Sequence, residues 1–302
     1  MIDILMPAYN ASYFIEDSIK SILNQSFTEW NLIILNDCST DDTLEIINRY
    51  VSLDHRITCF ENEKNLGIAK TRNKLLSLAK NRYIAWLDSD DIATQFRLEK
   101  QVRFLEENPK IFGIGSSRIL IDDYNNQIGK LKCNFLDRNF AHIKASIVRE
   151  NKFCNSSMMF RNEGFRIDES FPPAEDFEFW SRLILTENKK IVNQKDFLVQ
   201  YRIHSNNSSN QNQIKQLELN KRIIFRNFKD YGIYYSAKNL IHFYGFLNNN
   251  QIIKNPIKWI LINLWYLGRI AYRNKLPFFF VYYSIRDTTI ILKNYIRGNN
   301  SI

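Results

Sequence analysis

The first hundred residues alternate between strand and helix signals, and few folds accept that order. "IDILMPA" (2–8) is an apolar run of strand length. "ASYFIEDSIKSILNQS" (11–26) follows, with Phe14, Ile15, Ile19, Ile22 and Leu23 on one helical face. "NLIILND" (31–37), "RITCFEN" (56–62) and "RYIAWLD" (82–88) read as further strands. Between them, "STDDTLEIINRYVSL" carries Ser and Asp where an N-cap is wanted, and "IAKTRNKLLSLAK" (68–80) is amphipathic. Strands separated by helices imply right-handed crossovers and a doubly wound, mostly parallel α/β sheet. In such sheets ligands bind beyond the carboxyl ends of the strands. Each of those ends carries a polar cluster here: "PAYN", "NDCSTDD", "ENEKN" and "DSDD".

The second half breaks the rhythm. Strands are expected at 110–122, 127–132, 154–160 and 199–204, and helices at 137–150 and 173–185. "ATQFRLEKQVRFLEEN" is a further helix, for which Asp90 or Asp91 could be the N-cap. The polar loop "HSNNSSNQNQ" (204–213) marks a boundary. This divides the chain into a body of 1–210, with halves 1–105 and 106–210, and a helical tail of 211–302.

Charge follows the same division. From Lys215 onward, 14 Lys and Arg stand against Glu218, Asp230 and Asp287, so the first 214 residues carry −2 of the chain's net +9. A basic tail points to an acidic partner. Its helical patterns, "NPIKWILINLWYLGRIAYRNK" among them, mix Trp, Tyr and Phe with Lys and Arg. Their apolar runs are too short to span a bilayer. They suit an interfacial helix on an anionic membrane, or equally an appendage packed on the body. No motif for base readout is present, so nucleic acid is a poor partner. The N-terminus lacks a secretory pattern, and the four scattered cysteines fit no zinc spacing and suit a reducing compartment.

Five segments carry chemistry. In "WLDSDD" (86–91), Asp88 and Asp90 flank one residue at a strand end, where paired carboxylates can hold a hard divalent cation. For Asp91 a helix cap is the plainer reading. Asp37 ends the second strand, and its acceptor-only carboxylate suits the ring N–H of a uracil, or merely shapes the turn. In "NLGIAKTRN" (65–73), Gly67 suits a tight loop and Arg72 can face phosphates, whereas Lys70 reads as surface charge. In "AEDFEFW", Glu175 and Asp176 open a helix, and one of them could be a general base. His204 in "YRIH" could ligate a metal or touch phosphate.

Taken together and in order, "MPAYN", "ILNDCSTDDT", "NLGIAKTRN", "WLDSDD", "AEDFEFW" and "YRIH" resemble the inverting glycosyltransferases of family 2, which have the GT-A fold. The resemblance covers residues 1 to about 210 and implies a role for each motif. Pro7, Ala8 and Tyr9 would line the nucleotide loop. Asp37 would read uracil, and Arg72 would lie near the base and phosphates. Asp88 would approach the ribose. Asp90 would hold Mn2+ or Mg2+, with His204 completing the metal site. Asp176 would be the catalytic base, with Glu175 beside it. The implied partners are a UDP-linked sugar donor and a glycan acceptor, lipid-carried and belonging to a surface polysaccharide. The implied location is the cytoplasmic face of the membrane, peripherally bound. A magnesium-dependent nucleotidyltransferase and an inactive scaffold of the same fold are the competing readings. Two departures bear on the turn after the second strand. The family's Asp-Asp-Gly is Asn36-Asp37-Cys38 here, and cysteine takes positive φ less freely than glycine.

Overall fold

The computed structural model describes residues 1–133, 139–205 and 213–230. Residues 1–227 form one compact unit and 228–302 a second. The tail sequence beyond Asp230, with its expected membrane-facing helices, lies outside the described residues.

The N-terminal alternation is realised as β1 (Ile2–Ala8), α1 (Ile15–Leu23), β2 (Trp30–Asn36), α2 (Thr43–Leu53), β3 (Ile57–Glu61), α3 (Ile68–Leu78) and β4 (Tyr83–Trp86). These are followed by β5 (Ile92–Ala93), α4 (Arg97–Glu107), β6 (Gly113–Ile121) and β7 (Gln127–Leu131). The order continues with α5 (Phe140–Ser146), β8 (Met159–Arg161), α6 (Glu175–Leu185), β9 (Ile191–Arg202) and α7 (Gln213–Asp230). The nine strands of the described residues join one sheet in the order β3-β2-β1-β4-β8-β6-β9-β5, with β7 on β6. The run β3-β2-β1-β4 is parallel throughout, and β6–β9 is parallel again, whereas β8, β5 and β7 pair antiparallel.

The first two crossovers move away from β1 in one direction, and the third returns past it to β4. With right-handed connections, α1 and α2 share one face and α3 takes the other. The reversal makes a crevice between the ends of β1 and β4. Every residue of β1 is buried, as expected for a central parallel strand covered on both sides. A proline inside such a strand normally breaks the ladder. Leu5 sends its carbonyl to the Leu87 N–H at 3.2 Å. Pro7, two residues on, turns its missing N–H to the same side. The ladder with β4 stops there, after Leu5–Trp86, so the missing donor falls at the end of the pairing rather than inside it.

Several expectations are adjusted. Asp91 is not a helix cap. The two-residue strand β5 intervenes, α4 begins only at Arg97, and Asp91 is buried beside β9. The strand expected at 199–204 begins eight residues earlier, at Ile191. Part of the 154–160 strand is instead a 3-10 turn at Asn155–Ser157. In α7, Leu219, Ile223 and Ile224 are buried, and Arg226 Nη1 donates to Glu178 Oε1 of α6 at 2.6 Å. This first stretch of the basic tail therefore packs on the body.

Candidate active site

The ends of β1 and β2 form a latched pair of loops. Asn10 Oδ1 accepts from Thr40 N at 2.8 Å, and Asp41 Oδ2 accepts from Ser12 N at 3.1 Å. Burial alone would raise the Asp41 carboxyl, but bonds from Thr43 and Ser12 outweigh it and hold the value low. Pro7 and Ala8 are buried at the strand end, and Tyr9 is half exposed beyond them. Cys38 does adopt positive φ, at 60°, so the turn survives the replacement of glycine. Asn36 supports it by accepting from Ser39 Oγ at 2.6 Å.

Asp37 is buried, and its carboxylate organises the loop before α3. Oδ1 accepts from Asn62 Nδ2 and Leu66 N, both at 2.8 Å, and Oδ2 accepts from Gly67 N at 2.9 Å. A carboxylate offers about four acceptor positions, so one remains on Oδ2. Gly67 has φ 81°, a conformation that suits glycine at this entry to the helix.

Arg72 is the hinge between motifs far apart in sequence. Its Nη2 donates to Asp88 Oδ1 at 2.7 Å, and its Nη1 donates to Glu175 Oε1 at 2.5 Å. The guanidinium is buried, its two Nη atoms are taken by these carboxylates, and its Nε has no partner. Lys70, on the same helix, is exposed as expected. Burial would lower the Arg72 value, but Asp88 and Glu175 outweigh it and raise it. Glu175 opens α6, and its carboxylate turns to Arg72. Burial pushes Glu175 up to about 7, against the pull of Arg72, and Asp176 adds to the push.

Asp176 stands beside this triad. Its Oδ1 accepts from Phe177 N at 2.7 Å and its Oδ2 from Asn151 Nδ2 at 2.8 Å. Burial raises its carboxyl while Arg72 opposes the rise. Asp88 is held on its other oxygen by Ser156 Oγ at 3.0 Å.

Asp90 and His204 meet, with 3.0 Å between Oδ2 and Nε2. They are brought together by Arg202, which is fully buried. Its Nε donates to the Asp90 carbonyl at 2.8 Å, and its backbone N–H to Asp91 Oδ1 at 2.9 Å. Its remaining donors reach the Asp122 carbonyl and Asn125 Oδ1 in the β6–β7 turn. Phe14 covers both partners, its ring 4.6 Å from the Arg202 guanidinium and 4.7 Å from the His204 ring. Asp91 is pushed well up by burial, with Asp90 and Asp88 adding to it. Among the described residues no three His, Cys, Asp or Glu gather as a closed metal site. One carboxylate and one imidazole nonetheless suit an open-sided divalent ion, whose other positions fall to phosphate oxygens and water.

Two contact sets thus form around the "DSDD" turn. Arg72, Asp88 and Glu175 make one, with Asp176 next to Glu175; Asp90 and His204 make the other, and Asp37 stands two strands away, at the end of β2. Arg202, Ser156 and Asn151 were not singled out in the sequence. Arg202 had a signal, lying two residues before His204 in the same motif. Ser156 and Asn151 had none.

An α/β sheet with acidic clusters at the carboxyl ends of its parallel strands matches the GT-A arrangement expected from the sequence. The sequence profile described as "Glycosyl transferase family 2" matches residues 3–165, and the chain belongs to that family. An uncharacterized glycosyltransferase of Haemophilus influenzae is 29% identical over the whole chain and 98% of its own length. The Escherichia coli UDP-Glc:alpha-D-GlcNAc-diphosphoundecaprenol beta-1,3-glucosyltransferase WfaP is 31% identical, across 72% of this chain and 82% of its own. The crystal structure of S. aureus TarS 1-349 with UDP-GlcNAc is similar in fold, with a TM-score of 0.64 at 18% identity over 98% of this chain and 92% of that one. The protein is therefore a glycosyltransferase, and the nucleotidyltransferase alternative is set aside.

Proposed function

We propose that this glycosyltransferase moves a sugar, with inversion, from a UDP-linked donor to a hydroxyl of a lipid-carried glycan. One observation carries the reading. Arg72 ties Asp88, at the strand end expected to meet the donor, to Glu175, the neighbour of the expected base. Donor and acceptor chemistry thereby share one point in the fold. The name of the E. coli relative supports both the UDP donor and the diphosphate-lipid acceptor.

In this reading Asp176 accepts the proton of the acceptor hydroxyl as its oxygen attacks the anomeric carbon. The bond from that carbon to the diphosphate breaks on the opposite face, and UDP departs. Asp176 has one donor on each oxygen and keeps acceptor capacity for the incoming hydroxyl. Asp88 is fixed on both oxygens and is available to the ribose only through its remaining lone pairs. The latched loops at Tyr9–Ser12 and Asn36–Thr43 form a ready-made wall for the nucleotide. Asp90 and His204 would hold Mn2+ or Mg2+, which supplies positive charge against the diphosphate. No described helix is long and apolar enough to cross a membrane. Peripheral attachment at the inner membrane face, through the basic sequence beyond Asp230, completes the proposal.

The test is a donor screen across UDP-, GDP- and dTDP-sugars with a GlcNAc-diphosphate-lipid acceptor and Mn2+, with product anomers assigned by NMR. The expected result is UDP-sugar consumption with inversion. Retention, or use of GDP-sugars alone, contradicts it.

A further inference from the structure

The loop before β8 reaches across to the first turn of α6, and it carries Asn151. This residue belongs to none of the six motifs. Its Nδ2 donates to Asp176 Oδ2 at 2.8 Å, and its Oδ1 accepts from Phe153 N at 3.1 Å. The second bond decides which way the amide faces. A backbone N–H requires the oxygen, so the nitrogen is left for the carboxylate. Asp176 Oδ1 is taken separately by Phe177 N at 2.7 Å. The carboxylate is thus held at both ends by donors from two different segments, one on its own helix and one 25 residues away.

We propose that Asn151 is a positioning residue, fixing the Asp176 carboxylate in plane and in its ionised form so that it can take the acceptor proton. The inference rests on the reading of Asp176 as the base. Three charged groups face Asp176. Arg72, from α3, favours the carboxylate. Glu175, on α6, and Asp88, at the end of β4, oppose it, as does burial. A donated amide hydrogen bond favours the charged form and offsets part of that opposition. It also removes the freedom of the carboxylate to rotate toward Arg72, where it would be occupied rather than reactive.

Asn151→Asp is the cleanest variant. It keeps an oxygen for Phe153 N and replaces only the donor, setting a second acid against Asp176. Asn151→Ala removes both bonds and serves if the aspartate variant does not fold. Transfer is measured from pH 5 to 9 on the full chain, with melting temperature checked beside it. The expected result is a kcat at least tenfold lower with donor KM within twofold. The acid limb of kcat moves up by about one pH unit, a tenfold loss of ionised base on that limb. A profile that superimposes on wild type, or a change confined to donor KM, overturns the inference. Asp176→Asn separates the two claims. If it transfers at the wild-type rate, the base assignment itself falls. If it is inactive while both Asn151 variants match wild type, only the positioning role falls.

Discussion

The two halves of the described sheet are built on different principles. In the half from β1 to β4, functional loops are latched to neighbours in adjacent strands, as Asn10 is to Thr40 and Asp37 to Gly67. In the half from β6 to β9, the side chains that matter reach across the molecule. Glu175 pairs with Arg72 across 103 residues, and His204 meets Asp90 across 114. The first half is a preformed platform. The second half completes it, supplying the expected base, the imidazole and the Arg202 anchor. Binding of nucleotide should therefore tolerate a change at Asp176 that abolishes transfer.

The largest break in that contrast is expected at Arg72, which belongs to both halves. Arg72→Met leaves Glu175 and Asp88 without their shared cation. Breaking a buried pair of this kind costs on the order of 3–5 kcal/mol, read from urea unfolding. Arg72→Lys should recover only part of the loss, because an ammonium cannot fork to two carboxylates as a guanidinium does. Unchanged stability in Arg72→Met would show that the two halves hold together without it. A more local effect is expected at Asp90. Asp90→Ala should weaken Mn2+-dependent stabilisation by UDP on the order of a hundredfold in metal affinity, with little change in stability without metal. Retention of normal Mn2+ dependence would remove Asp90 from the metal site.

A smaller effect concerns pH. Glu175, Asp176 and Asp91 all have folded values raised above the ordinary ones. The native state therefore holds more protons than the unfolded chain over the window between those values. Stability falls as pH rises through it, for Glu175 from 4.5 to about 7. The melting temperature of the metal-free protein should drop from pH 5 to pH 8, and Glu175→Gln should reduce the slope. A slope identical to wild type would show that Glu175 titrates normally. The smallest effect is local to the platform. Cys38 sits at φ 60°, and left-handed backbone costs a non-glycine residue roughly 1–2 kcal/mol. Set against the roughly 0.5–1 kcal/mol chain-entropy cost of glycine, Cys38→Gly should gain about 0.5–1 kcal/mol, seen as a melting temperature higher by about 1–4 °C; no rise would show that the turn relieves the cysteine of this strain.

The same contrast explains what the sequence revealed. Strand-helix alternation and polar strand ends are local signals, so β1 to β4 and the Asp37, Asp88 and Asp90 positions were legible. The burial of Arg72 was not, because its partner Glu175 is distant in the chain and no local pattern encodes the pair. Asp91 looked like a helix cap because β5 is only two residues long, and its pairing with β9 depends on residues more than a hundred positions away. Arg202 was overshadowed by His204 in the same motif. Asn151 has no periodicity, spacing or charge to distinguish it, and only the folded chain sets it against Asp176.

The platform is expected to bind the nucleotide while a carboxylate from the second half performs the transfer. Asp176→Asn tests it most directly when UDP affinity in Mn2+ and turnover are measured on one preparation. The expected result is a Kd for UDP within about twofold of wild type and a turnover reduced by about a thousandfold or more. Turnover near wild type, with UDP affinity unchanged, would contradict it.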